Sequence, residues 1–234
     1  MKIALLGYGK MGKSVEQAAL QKGHQIVLRV SDDIDKHALK EADVAIDFSI
    51  PKVAFRNITA CLDLGVPVVS GTTGWLNQYD EAVAACKASG GAFLYASNFS
   101  LGVNLFFELN RKLAQLMEPF TDYEASVEEI HHIHKLDAPS GTAISLAEQL
   151  LEHSRKKTWA LDQAGSDELL ITARREAEVP GTHTISYESS VDRISIEHKA
   201  HNREGFAKGA VLAAEWIHGK QGVFTMKDVL FGEG

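Results

Sequence analysis

Three histidines and a lysine fall within five residues of this 234-residue chain: His131, His132, His134 and Lys135. Directly after them comes Asp137-Ala138-Pro139-Ser140-Gly141-Thr142-Ala143, where Pro-Ser-Gly-Thr marks the start of a helix. Cationic side chains attract anions by charge, and a helix N-terminus does so through its free N–H groups and dipole. Histidine titrates near neutrality, so the same cluster can hold or release a proton. This combination suits a small substrate with two carboxylates that also needs a proton. A surface metal trap or a solvated turn is the plainer reading of such a loop.

The elements that must position this chemistry begin at residue 1. Ile3-Ala4-Leu5-Leu6 is a short apolar run ending in Gly7-Tyr8-Gly9-Lys10-Met11-Gly12, a strand followed by G-x-G-x-x-G. Val15, Ala18 and Ala19 fall at helical spacing, and Ile26–Val30 reads as a second strand that runs into Ser31, Asp32 and Asp33. This is the dinucleotide fingerprint in its required context: the glycines admit a pyrophosphate to the backbone, and Asp32 or Asp33 accepts from the adenosine ribose. Val44–Phe48, Val66–Ser70 and Phe93–Ala96 continue the pattern as strands. Helices between them start at Pro51 and turn Val83, Ala84 and Cys86 inward. Five such strands predict a parallel, doubly wound sheet, whose ligands lie beyond the carboxyl ends of the strands. Phe48-Ser49, Gly71-Thr72-Thr73 and Ser97-Asn98-Phe99 occupy those ends and are cofactor candidates.

The pattern then changes. Leu101–Met117 is helical, with Leu105, Leu109, Leu113 and Leu116 on one side. Asp122–Ile130 alternates Tyr123, Ala125 and Val127 against Glu124, Ser126 and Glu128, which predicts a strand with one wet face leading into the histidine loop. A helix follows Pro139. Residues 155–178 carry no clear pattern, and Arg174-Arg175 read as solvated surface. His183–Tyr187 and Arg193–Ala200 read as antiparallel strands, and a last helix turns Ala207, Ala210, Val211 and Ala214 inward. The expected architecture is therefore α/β: a Rossmann-like doubly wound sheet (1–100 and 204–234) with an inserted α+β substrate domain (101–203) containing a mostly antiparallel sheet.

Composition limits the alternatives. A formal net charge of −7, without a basic tail, argues against a nucleic-acid partner. No apolar stretch is long enough to span a membrane, and the first apolar run, ending at Gly7, is too short for a signal peptide. Cys61 and Cys86, the only two cysteines, read as buried free thiols rather than a disulfide framework or metal site, so a reducing compartment such as the cytoplasm is expected.

The motifs together resemble the dihydrodipicolinate reductase family. The matching pieces are Gly9-Lys10-Met11-Gly12, Asp47-Phe48-Ser49, Gly71-Thr72-Thr73-Gly74, Asn98-Phe99-Ser100, His131-His132, Lys135 through Ala143 and His198-Lys199-Ala200. The resemblance runs from residue 1 to about residue 230. It implies reduction of 4-hydroxy-tetrahydrodipicolinate by NADH and/or NADPH in lysine and diaminopimelate synthesis. It implies that His131 exchanges the proton, that Lys135 is a second acid that also holds substrate, and that His132 and Ser140-Gly141-Thr142 bind the substrate carboxylates. Gly71-Thr72-Thr73 and Ser97-Asn98-Phe99 would lie along the nicotinamide half of the cofactor. A homo-oligomer, tetramer or dimer, is expected, because a strand such as His183–Tyr187 would leave an edge needing cover. The chain departs from the family pattern twice. Its glycine turn is one residue shorter than G-x-x-G-x-M-G, and it lacks the extra strand and turn usual after Pro180-Gly181-Thr182. Two other readings stay open: a dehydrogenase or imine reductase for another small dicarboxylate, and a nucleotide-sensing regulator without catalysis.

Overall fold

The apolar runs become strands, and the helical patterns between them become helices, in a computed structural model that describes residues 1–31, 33–202 and 204–232. Asp32 lies outside the described residues. The chain divides into two compact units: Met1–Asn104 with Glu204–Gly234, and Leu105–Arg203.

The first unit alternates β1 (Lys2–Leu6), α1 (Lys10–Gln21), β2 (Gln25–Val30), α2 (Lys36–Lys40), β3 (Val44–Asp47), α3 (Pro51–Asp63), β4 (Val68–Ser70), α4 (Tyr79–Ser89) and β5 (Ala92–Tyr95). The helix α5 (Leu101–Met117) then leads into the second unit, which holds β6 (Glu124–His131), α6 (Gly141–Leu151), β7 (Thr158–Leu161), β8 (Glu168–Arg175), β9 (Thr182–Glu188) and β10 (Arg193–Lys199). The chain returns to the first unit through α7 (Glu204–Ile217), β11 (Gly222–Phe224) and α8 (Met226–Phe231).

The first sheet is wholly parallel, in the order β11-β5-β4-β3-β1-β2. Successive side chains of a strand point to opposite faces, so both faces need cover when every residue is apolar. Ile3 and Leu5 of β1 pack with Val15 of α1 and Ala210, Val211 and Ala214 of α7. Ala4 and Leu6 pack on the other face with Ile58, Cys61 and Leu62 of α3 and Cys86 of α4. The sequence predicts five strands here; β11 is a sixth, too short to stand out from the loops around it. On α4 the inward residues are Ala82 and Cys86, while Ala84 is exposed and Val83 half-buried. Cys61 and Cys86 are free and buried, and burial pushes the Cys61 thiol pKa up.

The second sheet is mixed, in the order β10-β9-β6-β8-β7. β6, β9 and β10 form the expected antiparallel half. β7 and β8 add two parallel pairings from the stretch that the sequence left unread. Strand β9 is therefore interior, and the edges are β10 and β7, which corrects the expectation that His183–Tyr187 needs a cover. Val127, Leu169, Ile171, Ile185 and Tyr187 of the sheet pack against Ala143, Leu146, Ala147 and Leu150 of α6 and Phe106, Ala114 and Met117 of α5. Of the α5 leucine stripe, Leu113 packs against this core, while Leu105, Leu109 and Leu116 are exposed. Among the described residues, no helix is long and apolar enough to cross a membrane.

Candidate active site

At the carboxyl edge of the parallel sheet, two glycines are dictated by packing. Gly7 takes a φ of +95°, and a Cβ there would lie 2.2 Å from the Phe48 carbonyl oxygen. A Cβ on Gly12 would lie 2.2 Å from the Gly7 oxygen, because α1 starts hard against the β1 turn. Gly9, between them, faces open space. The N-terminus of α1 beside it has no side-chain cap and no acid in its first turn, and Lys10 is exposed there. Free N–H groups, open space and a nearby cation fit a diphosphate. Tyr8 donates its hydroxyl hydrogen to Glu16, which also accepts from Arg29 Nε at 2.9 Å. Met11 packs its half-buried side chain against the core.

Asp47 ties the next loops together. Its fully buried carboxylate ends an otherwise apolar strand and accepts from Thr72 Oγ1 at 2.7 Å, Ser70 Oγ at 2.9 Å and Asn57 Nδ2 at 3.0 Å. Thr72 Oγ1 in turn accepts from the Ser49 N–H at 2.9 Å, and Asn57 also reaches Ser49 Oγ at 3.2 Å. Burial raises the Asp47 pKa, against the pull of these hydrogen bonds. Ser49 and Thr72 are thus tied to one carboxyl group, while the Gly71 N–H donates to the Asp47 backbone carbonyl and the Phe48 N–H to that of Leu6. Thr73 and Ser97 are exposed. Asn98 accepts the Ser100 N–H at 2.9 Å. Phe99 is buried, its ring edge-on to Phe48 at 5.7 Å between centroids, so only its backbone remains to meet a ligand. Asp33 is almost fully exposed and lies 3.6 Å from Arg56 of α3. A cation distant in sequence therefore stands beside the expected ribose acid.

In the second unit, β6 carries the chemistry. Val127, Glu129 and His131 share its buried face, in phase with the core. Glu129 is fully buried and accepts the Ser140 N–H through both oxygens at 3.1 Å. Arg175 of β8 donates to Glu129 Oε1 at 3.2 Å and to the Asp137 carbonyl at 2.6 Å. Its guanidinium is only one-fifth exposed, which corrects the reading of Arg175 as solvated surface. Arg174 points outward and pairs with Glu128 at 3.1 Å. His131 Nδ1 and His183 Nε2 lie 3.4 and 3.7 Å from Glu129 Oε2, and the two rings meet edge-on at 5.1 Å. His183 Nε2 also lies 3.2 Å from Ser140 Oγ.

Ser140 caps α6 by accepting the Ala143 N–H at 3.2 Å. Gly141 and Thr142 form the first turn behind it, with Gly141 exposed and Thr142 half-buried. Lys135 donates to both oxygens of Asp137, at 2.8 and 2.7 Å. The His132 ring lies 6.1 Å from that of His134. Burial lowers the His131 pKa to about 4; the Glu129 charge opposes this, while His183, Lys135 and Arg175 add to it. Burial alone would raise the Glu129 pKa, but hydrogen bonds from His183 and Ser140 and the charge of His131 outweigh it and hold it near about 2. The pair therefore sits as carboxylate and neutral imidazole at neutral pH. Glu129, His131 and His183 offer ligand atoms within 4.8 Å of one another, but the adjacent guanidinium opposes a cation.

Sequence reasoning missed Asp47 as an organiser, and missed Glu129, Arg175 and His183 entirely. Glu129 had a usable signal: it is the one carboxylate in phase with Ala125, Val127 and His131 on an alternating strand.

A dinucleotide-type parallel sheet together with a second α+β unit, in which a buried histidine shares a buried carboxylate with the capped start of a helix, fits a nicotinamide-dependent oxidoreductase. Comparison narrows the class. Residues 1–99 match the model for the dihydrodipicolinate reductase N-terminus and residues 102–230 that for its C-terminus, so the chain belongs to the dihydrodipicolinate reductase family. It is 59% identical over 233 residues to a 4-hydroxy-tetrahydrodipicolinate reductase of Christiangramia forsetii, covering 98% of each chain. It is 37% identical to one of Methanopyrus kandleri, covering 82% of this chain and 73% of the relative. In fold it is similar to a dipicolinate-bound dihydrodipicolinate reductase from Paenisporosarcina, with a TM-score of 0.80, 20% identity and 99% of both chains covered.

Proposed function

We infer that the chain catalyses NAD(P)H-dependent reduction of 4-hydroxy-tetrahydrodipicolinate to tetrahydrodipicolinate, with the 4-hydroxyl leaving as water, a step of lysine and diaminopimelate biosynthesis. The observation that carries this reading is the 59% identity to a reductase of that name along 98% of both chains. When bound, the nicotinamide cofactor supplies a hydride. The α1 N-terminus and Lys10 take its diphosphate, and Asp32 or Asp33 its adenosine ribose. Ser49 and Thr72, fixed by Asp47, and the Ser97-Asn98-Phe99 backbone take the remainder.

In the second unit, the α6 N-terminus with Ser140, Gly141 and Thr142 takes one substrate carboxylate, and His132 and Lys135 take the other. His131 then delivers the proton. Before substrate binds, its imidazole is neutral. Two arriving carboxylates favour the charged imidazolium and restore the proton that burial removes. Lys135 supports the developing negative charge and serves as a second acid. The exposed β10 edge and the exposed leucines of α5 support a homo-oligomer, dimer or tetramer, and the free thiols support a cytoplasmic setting. Freshly generated hydroxytetrahydrodipicolinate, mixed with wild-type protein and NADH or NADPH, is expected to cause substrate-dependent loss of reduced-nicotinamide absorbance. Unchanged absorbance with both nucleotides would refute the reading.

A further inference from the structure

We propose that Glu129, supported by His183, is a positioning residue that presents His131 to substrate with its Nδ1 hydrogen turned inward and its Nε2 free to exchange the proton. The proposal rests on the reductase reading above. Four observations carry it. Glu129 is fully buried although charged, and a carboxylate so placed persists only where it is paired. It pairs in register with His183 across β6 and β9, so the strands themselves fix this geometry. His131 Nδ1 is buried and makes no aligned hydrogen bond, yet Glu129 Oε2 lies 3.4 Å away. Finally, the same carboxylate accepts the Ser140 N–H, so one group sets both the proton-exchanging ring and the carboxylate-binding turn.

The charged groups facing His131 are Glu129 on its own strand, His183 on β9, Arg175 on β8 and Lys135 in the following loop. Among these groups Glu129 is the only anion, and its Oε2, 3.4 Å from Nδ1, is the acceptor that the Nδ1 hydrogen faces. Arg175 and Ser140 keep that carboxylate ionised, and His183 ties it to Ser140 Oγ. Such a hydrogen bond is often loose in an empty site and tightens once substrate is bound.

The test is the nitrogen-15 spectrum of the His131 ring in the full-length wild-type protein near neutral pH. The expected pattern is protonated Nδ1 and bare Nε2. A predominant Nε2-protonated form would overturn the proposal whether or not any variant folds. In parallel, Glu129→Gln should lower kcat by roughly 10²–10⁴-fold, the range that general acid–base catalysis is worth, and leave the KM for NADH unchanged. Glu129→Asp, which keeps the charge, should recover part of that loss. A folded Glu129→Gln protein with wild-type kcat and an unchanged His131 spectrum would equally overturn it. Wild-type turnover tests the reductase reading separately, because the ring spectrum is read without substrate.

Discussion

Asp47 and Glu129 are two buried carboxyl groups near the ends of central strands, each gathering the loops of its own unit, but their surroundings differ in charge. The described donors to Asp47 are neutral, serine and threonine hydroxyls and an amide. Glu129 accepts from a backbone N–H and a guanidinium and faces two imidazoles. Burial therefore wins at Asp47 and raises its pKa, whereas partners win at Glu129 and hold it near about 2. Neutral donors make a scaffold that holds turns at a fixed spacing around a cofactor. Charged donors make a site whose protonation responds to whatever binds. On the proposed reading, the cofactor half needs shape, and the substrate half needs a proton.

The largest expected effect tests the charged half. His131→Gln should lower kcat by roughly 10²–10⁴-fold with a modest change in KM, the usual worth of a general acid. Lys135→Ala should damage both terms, since it removes a charge that holds substrate as well as a proton source. Steady-state kinetics of both variants would check this, and near-normal kcat in His131→Gln would put the donor elsewhere.

Acid should separate the two units next. A raised folded pKa, as at Asp47, gives stability that is present at low pH and lost as pH rises through that value. A lowered one, as at Glu129, gives stability present above 4.5 and lost as pH falls toward about 2. His131 acts in the same direction: between 6.5 and about 4 the unfolded chain takes its proton first. Amide-exchange protection in β6, β8 and β9 should therefore fall before that in β1, β3 and β4 as pH drops from about 7 to about 5. Equal losses in both sheets would break the contrast.

A smaller effect concerns the α6 turn. A planar pyridine dicarboxylate should compete with substrate, and Thr142→Val should weaken that inhibition by about tenfold, the worth of one good hydrogen bond to a charged group. Unchanged inhibition constants would remove Thr142 from the carboxylate site.

The smallest effect is at the cofactor ribose. NADH should serve at least as well as NADPH, because an acid there repels a 2′-phosphate. Asp33 is almost fully exposed and stands 3.6 Å from Arg56, so screening and a nearby cation should leave only a several-fold preference. Asp33→Arg should shift the kcat/KM ratio toward NADPH. A hundredfold preference of the wild-type protein for NADPH would show that neither acid governs the choice.

Most of the parallel sheet was legible because unbroken apolar runs alternate with helical spacing, and the glycine turn sits where only such a sheet would place it. β11 was not legible, since three residues carry no period. β7 was hidden because its residues are half-exposed and carry no period, and β8 because Leu169-Leu170-Ile171 is apolar without a break although only Leu169 and Ile171 face the core. His131, Lys135 and the Ser140 turn stood out by chemical type within a short stretch. Arg175 and His183 did not, because their meaning comes from strand neighbours: His131 lies opposite Arg175 across β6 and β8, and Glu129 opposite His183 across β6 and β9. The regular spacing of the α5 leucines showed a helix but not which of its faces is buried, and that face carries Phe106, Ala114 and Met117.

The central claim is that His131 is neutral before substrate binds and becomes the proton donor when a dicarboxylate arrives. Calorimetric titration of the full-length protein with pyridine-2,6-dicarboxylate near neutral pH, repeated in buffers of different ionisation enthalpy, measures this directly. The account expects uptake of about one proton per site on binding, lost in His131→Gln. Tight binding to the wild-type protein with no proton uptake would contradict it.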